Sequence, residues 1–307
     1  LNVASSALGS QWTSSSESLA TTVQQVNATA ANIASLNKAI VAATGAGNQP
    51  NDLMDQRDLL IRQLASSIGA TTRTNSDGST DVLVGGSNLV SGSTSRQLQL
   101  GGATALDQAG TTPVALSWVD NGLPAYGTSG QVGSLLTALN TTIPSYSTQL
   151  DGVAAKLAQS VNDQQAAGYD LNGATGAAFF ATNDSSATVT AANIMVAISD
   201  PNAVAASATG PTIDGGGNTV VSYDGGNAQQ AANLAGVVGG ADATYRQMIV
   251  QLGSQSQSVQ QKTTTQQSVV TQVEASRDSA SGVDLDEEQT NLITFQQAYN
   301  AAAQFLS

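Results

Sequence analysis

Neither cysteine nor histidine occurs among the 307 residues. Without cysteine there are no disulfides and no thiolate chemistry, which suits either a reducing compartment or a secreted protein stabilised without crosslinks. Without histidine, the commonest general base at neutral pH and the commonest metal ligand are gone, and most hydrolase and zinc-site designs go with them. Charge is scarce too, at 10% of residues against about 25% in an average soluble protein. The net charge is −13 and the nine basic residues stand singly, so no cationic stripe exists to follow nucleic-acid phosphates or an anionic lipid surface. No run of about eighteen apolar residues is present, which excludes a membrane-spanning helix. The opening LNVASSALGS lacks a basic and apolar leader pattern and an initiator Met, and reads as the start of a piece, or a processed product, of something longer.

Aromatic residues are only 4% of the chain while hydrophobic residues reach 40%, so the apolar content rests on Ala, Val and Leu. That composition suits closely approaching helices. The periodicity agrees. Leu19, Val23, Val26, Ile33 and Ile40 hold an alternation of three and four, with Trp12 one heptad upstream, and predict a helix ending near TGAGNQP. NDLMDQRDLLIRQLASSIG predicts a second helix with Gly69 just past its end. After residue 70 the period becomes alternating, with turns at Asp77-Gly78 and Asn121-Gly122 and strands in TDVLV, RQLQL and VALSW. A helix returns over 131–167, and residues 168–235 are Gly-rich with short strand candidates in TVT, NIMVAIS and NTVVSY.

The longest helical pattern then places Tyr245, Ile249, Leu252, Val259, Val270 and Val273 on one seam, with Ser256, Thr263 and Gln266 between them. A last helix is expected after Gly282, capped by Asp284 with Glu287 three residues on, and seamed by Leu285, Leu292, Phe295, Tyr299 and Leu306. The fold class expected is α+β and multidomain. Both chain ends form an elongated α-helical bundle (1–69 with 236–307, and 131–167), and a β-rich outer lobe (70–130 and 168–235) is inserted between. An acid at Phe295 is then expected to destabilise the bundle.

Chemistry-bearing constellations are few. NSDGSTD (75–81) spaces oxygen ligands around a glycine as a calcium loop does, but no Glu closes it, and it reads as a hairpin turn. DGGGN (214–218) lacks the Lys of a phosphate loop. Arg57 falls on the apolar face of its helix with Leu53 and Leu64, where a structural ion pair with a carboxylate is expected. The acids of LDEE (285–288) are accounted for by caps and the helix dipole. No nucleophile with its base and no carboxylate pair emerges, so neither an enzyme nor a cofactor is expected. An adhesin or type III translocator with a helical stalk and a ligand-binding lobe is the alternative this architecture allows.

SGVDLDEEQTNLITFQQAYNAAAQ resembles a signature shared by flagellar axial proteins. NDLMDQRDLLIRQLASSIG (51–69), SGQVGSLLTALNTTIPSYSTQLDGVAAKLAQSVNDQQAAGYDLNGATGAAFF (129–180) and ISDPNAVAAS (198–207) are similar, in this order, to the bacterial flagellar hook-associated protein 1 family. Against that family the terminal segments are missing. The resemblance implies a non-enzymatic, extracellular part of the bacterial flagellum, exported without a cleaved signal peptide and joining hook to filament. It implies contacts with hook protein and the second junction protein, self-assembly into a ring, and an export chaperone at the C-terminal helix. The chain on its own is expected to be monomeric.

Overall fold

The structure, a computed structural model, describes residues 1–184, 186–281 and 285–305, with the backbone alone for 278, 280, 281, 285–288 and 300–305. It divides into two compact units, Leu1–Met248 and Ile249–Ser307.

The first unit opens with α1 (Asn2–Gly45) and α2 (Asn51–Ile68). Along α1 one face is buried, carrying Trp12, Leu19, Val23, Val26, Ile33 and Ile40. α2 stops where Gly69 adopts φ 73, a left-handed value that glycine takes without a Cβ penalty, and its amide bonds back to Ala65 at 2.9 Å. An antiparallel sheet follows in sequential order: β1 (Thr71–Thr74), β2 (Thr80–Val84), β3 (Ser87–Ser91) and β4 (Thr94–Ser95). β5 (Leu98–Gly101) pairs with β6 (Ala115–Trp118), Leu98 opposite Trp118. α3 (Gly130–Thr137), a π turn (Ala138–Thr142) and α4 (Ile143–Ala166) then succeed one another without a break. Two small hairpin sheets come next, β7 (Phe180–Thr182) with β8 (Ile194–Val196) and β9 (Thr212–Ile213) with β10 (Thr219–Val220). α5 (Gly226–Asn233) and the start of α6 (Ala241–Ser281) complete this unit. The second unit holds the rest of α6 and α7 (Leu285–Phe305).

A single core joins the long helix to the strands. Leu19, Val26 and Ile33 cluster with Leu64 and Ile68 of α2, Val82 and Val84 of β2, Leu89 and Val90 of β3, Leu98 of β5 and Trp118 of β6. The α1 stripe thus shares its core with strands of residues 70–130, which the sequence led us to expect in a lobe apart. The physical reason is that the strands also carry an apolar face, and the α1 stripe is the nearest long surface on which to bury it. Burial of each such side chain contributes roughly 1.5–3 kcal/mol. A second, smaller core gathers Leu150, Ala154 and Ala158 of α4 with Ala191 and Ile194.

Helix is attached to strand by asparagine. Asn27 of α1 accepts from the Leu98 amide at 2.9 Å and donates to the Leu98 carbonyl at 2.8 Å. Asn37 does the same to Thr80 at 3.1 and 2.8 Å and adds a bond to the Gly92 carbonyl at 2.8 Å. Asn140 in the π turn holds Val114, and Asn162 of α4 holds Phe180, each through a pair of bonds of 2.8 to 2.9 Å. These backbone groups start a strand or immediately precede one. Ladder bonds beside two of them, Val119 to Gln97 and Ala197 to Phe179, leave Leu98 and Phe180 facing outward. A carboxamide presents one donor and one acceptor, as a peptide group does, and so stands in for the missing neighbour strand.

Asp224 performs a comparable task in the loops before α5. Its carboxylate accepts from the amides of Ala208, Thr209 and Gly226 at 2.9, 3.0 and 2.7 Å, and from the hydroxyls of Ser207 and Ser222 at 3.2 Å each. Hydrogen bonds from Thr209, from the Ala208 and Gly226 amides and from Ser207 hold this carboxyl far below the usual carboxylate range.

Asn37→Ala strands the Thr80 amide and two carbonyls in a buried place, and is expected to lower unfolding free energy on the order of 3 kcal/mol in a urea titration. Asn48→Ala, on an exposed loop residue, is expected to stay within about 0.5 kcal/mol. Because the Asp224 carboxyl is more acidic folded than unfolded, its stabilisation is complete above about pH 4 and is lost as pH falls below that value. Asp224→Asn should therefore melt below the parent at pH 7, with the gap closing in acid. A gap constant from pH 7 to strong acid would show that the ionised carboxylate is not what holds these loops.

Candidate assembly surface

Among the described residues no group of three or more carboxylates, histidines or cysteines is placed to hold a metal. The oxygens of NSDGSTD are already occupied. Asp77 accepts from the Ser79 amide at 2.9 Å and from its hydroxyl at 2.6 Å, closing the β1–β2 turn. Asp81 accepts from Arg73 at 2.7 Å, Asn75 at 2.9 Å and the Gly92 amide at 2.8 Å. The bond from Arg73, followed by that from Gly92, pulls the Asp81 carboxyl below its ordinary value, as the Ser79 bonds do for Asp77. In DGGGN, Asp214 accepts from the Gly216 and Asn218 amides at 2.9 and 2.8 Å and makes a plain loop. These carboxylates are spent on turns.

Arg57 is buried, but its strongest partner is not the expected carboxylate. It donates to the Gly78 carbonyl at 2.8 Å, with the Asn37 side chain and the Asp58 carboxylate both at 3.5 Å. Asp58 points largely to water, with 55% of its side chain exposed, so the ion pair is weak. The guanidinium instead ties α2 to the Asp77-Gly78 turn and to the same Asn37 that clamps β2. A fixed carbonyl of a tight turn satisfies a donor without the cost of desolvating a second charge.

The seam residues fall into two groups. Leu19, Val23, Val26, Ile33 and Ile40 of α1 are buried within the first unit. Tyr245, at the start of α6 in the first unit, is exposed. In the second unit Ile249, Leu252, Val259, Val270 and Val273 of α6 are all exposed. So are Leu292, Phe295 and Tyr299 of α7, the last two at 76%. Asp284 and Leu306, and the side chains of Leu285 and Glu287, lie outside the described residues. A side chain as open as Phe295 has little burial to lose, so the expected destabilisation by an acid there does not follow for the chain alone.

The chain thus presents a row of large apolar side chains at helical spacing on α6 and α7, outside both cores. Rows of this kind mark surfaces that meet another macromolecule. The three-four alternation in the sequence located the row. It said nothing of which positions a single chain covers. The asparagine clamps left one trace, Asn37 inside an otherwise apolar stripe, while Asn27, Asn140 and Asn162 left none.

The family model described as the flagellar hook-associated protein FlgK helical domain matches residues 1–180, and that of the flagellar basal body rod FlgEFG protein C-terminal region matches residues 274–307. Flagellar hook-associated protein 1 of Escherichia coli (strain K12) is 29% identical over 378 aligned residues, covering 92% of this chain and 67% of that protein. Its counterpart in Bacillus subtilis (strain 168) is 28% identical over 326, covering 94% and 62%, and that of Salmonella typhimurium is 33% identical over 174, covering 53% and 30%. The chain therefore spans from about a third to two thirds of the length of these relatives. A solved structure of the flagellar hook junction protein FlgK from Burkholderia pseudomallei overlays 59% of this chain and 34% of that one, at 28% identity and a TM-score of 0.50. With the helical-domain model alone matching more than half of its length, the chain belongs to the flagellar hook-associated protein FlgK family, whose members are structural parts of the bacterial flagellum and not enzymes.

Proposed function

We propose that the protein joins hook to filament as a structural axial component, and that filament assembly requires it. The observation that supports this best is the exposed apolar row on α6 and α7, which overlaps the stretch matching the rod-protein C-terminal model. The side chains of this row are exposed and so available to other subunits. Neighbouring copies in a ring cover it, with hook protein on one side and the second junction protein on the other. Before assembly an export chaperone shields the α7 region, and the protein leaves the cell by flagellar export without a cleaved signal peptide. Alone, with that row unpaired, the chain is a monomer.

The test is complementation of a strain lacking its own hook-associated protein 1 by the full-length parent of this chain. Filaments on the hooks are the expected outcome for the parent. Leu292→Asp combined with Phe295→Asp should leave folding stability within about 1 kcal/mol, as for two exposed substitutions, yet abolish filaments. Electron microscopy of cells and thermal melting of the purified chain read the two effects separately. Normal export of the parent without any filament, or full filaments with both acids in place, would remove the proposal.

A further inference from the structure

α1 and α2 share an open groove of about 400 Å³, lined by Asn32, Ser35 and Leu36 of the first helix and by Gln56, Leu59 and Leu60 of the second. Leu60 also reaches the first core, but Leu59 is 51% exposed and stands at the edge of the groove as a free apolar knob. The lining carries no charge. Asp55, which is exposed, lies one turn before Leu59 on the same side of α2, so the groove has an acidic edge.

α6 carries a counterpart. The exposed Val259 and Val270 border a shallow hollow of about 340 Å³ on this helix, which Lys262, Thr263 and Gln266 also line. Lys262 follows Val259 by three positions, so a base stands beside an apolar knob here as an acid does at Leu59. Among the described residues neither Asp55 nor Lys262 belongs to an ion pair. α7 offers no such match, because its row from Leu292 to Tyr299 falls within residues 289–307, which hold no charge.

We propose that the α1–α2 groove of one copy receives α6 of a second copy, with Val259 entering the groove, Leu59 entering the hollow beside Val270, and Lys262 meeting Asp55. This rests on the reading of the protein as one that assembles with its own copies, and it names the face that takes the α6 row. Docking of a helix into a groove uses anchors at such helical spacings. Two copies at a net charge of −13 repel each other in most orientations, so an approach that brings base to acid is favoured. The two faces are different patches, which makes the contact head to tail and able to pass from copy to copy, as a ring requires. It is also small. A groove with six lining residues falls well short of the roughly 20–30 a side of a stable interface, so free chains part and the contact persists only where assembly concentrates them.

The chain has no cysteine, so Gln56→Cys and Thr263→Cys, both at exposed positions, can be made in separate chains and mixed, which keeps every cross-link between copies. Under mild oxidation of the concentrated, purified full chains, the mixed dimer should exceed either like-with-like dimer about tenfold, because docked thiols meet at an effective concentration far above that of the bulk. Lys262→Glu in the Thr263→Cys chain should remove the excess, and Asp55→Lys in the Gln56→Cys chain should bring it back. That rescue distinguishes the contact from a general effect of charge. A mixed dimer at no more than its random share, or an excess that Lys262→Glu leaves untouched, would overturn the docking. An excess with the expected rescue, alongside a full-length parent that builds no filaments, would leave the contact standing and remove the joining role instead.

Discussion

The first unit depends on the burial of one face of α1. A helix of 44 residues extends roughly 66 Å at 1.5 Å per residue, far longer than any other element near it can cover alone. Its apolar stripe is therefore shared out along its length. The stretch around Trp12 faces the π turn, the middle from Leu19 to Ile33 faces α2 and the strands, and Asn37 faces the β1–β2 turn. Most of the stability of such a helix comes from packing its apolar face, not from propensity. Remove the stripe and β2 to β6 lose the surface that makes them strands.

The scarcity of charge has a structural counterpart. Where many proteins join helix to sheet edge with ion pairs or apolar contact alone, this one uses carboxamides aimed at single backbone positions. The choice avoids the desolvation that a buried charge demands, and it fixes register, since a carboxamide one residue out of place meets no matching donor and acceptor. The few charges present behave alike. Asp81, Asp214 and Asp224 accept amides in turns, and Arg57 donates to a turn carbonyl. Two arginines pair with carboxylates instead: Arg73 with Asp81 at 2.7 Å, and the half-buried Arg96 with Asp120 in two bonds of 2.8 and 2.7 Å while lying over the Trp118 ring.

Much of this was legible in the sequence, and what was not has a common cause. The three-four alternation identifies α1, α2, α4, α6 and α7 because helix period is a local property. Gly69 and the Asp77-Gly78 turn are legible for the same reason. The packing of the strands on the α1 stripe was not legible, since periodicity marks a face without saying what covers it. Short strands in the Gly-rich region were only partly visible: NIMVAIS contains β8 and NTVVSY contains β10, TVT forms no strand, and α5 gave no apolar pattern. The π turn escaped notice because Pro144 sits as comfortably at a helix start as after a bulge. Of the candidate surface, the sequence showed the row of positions but not its openness, which depends on everything else the chain folds against.

The first core draws all its members from residues 8–143. Every side chain it needs has therefore been supplied before the last half of the polypeptide is required. A chain delivered from its amino end can consolidate this part early, with the clamped pairs only 18 to 71 positions apart along the sequence. An order of maturation is thereby written into the topology: the first core can set before α6 and α7 have emerged.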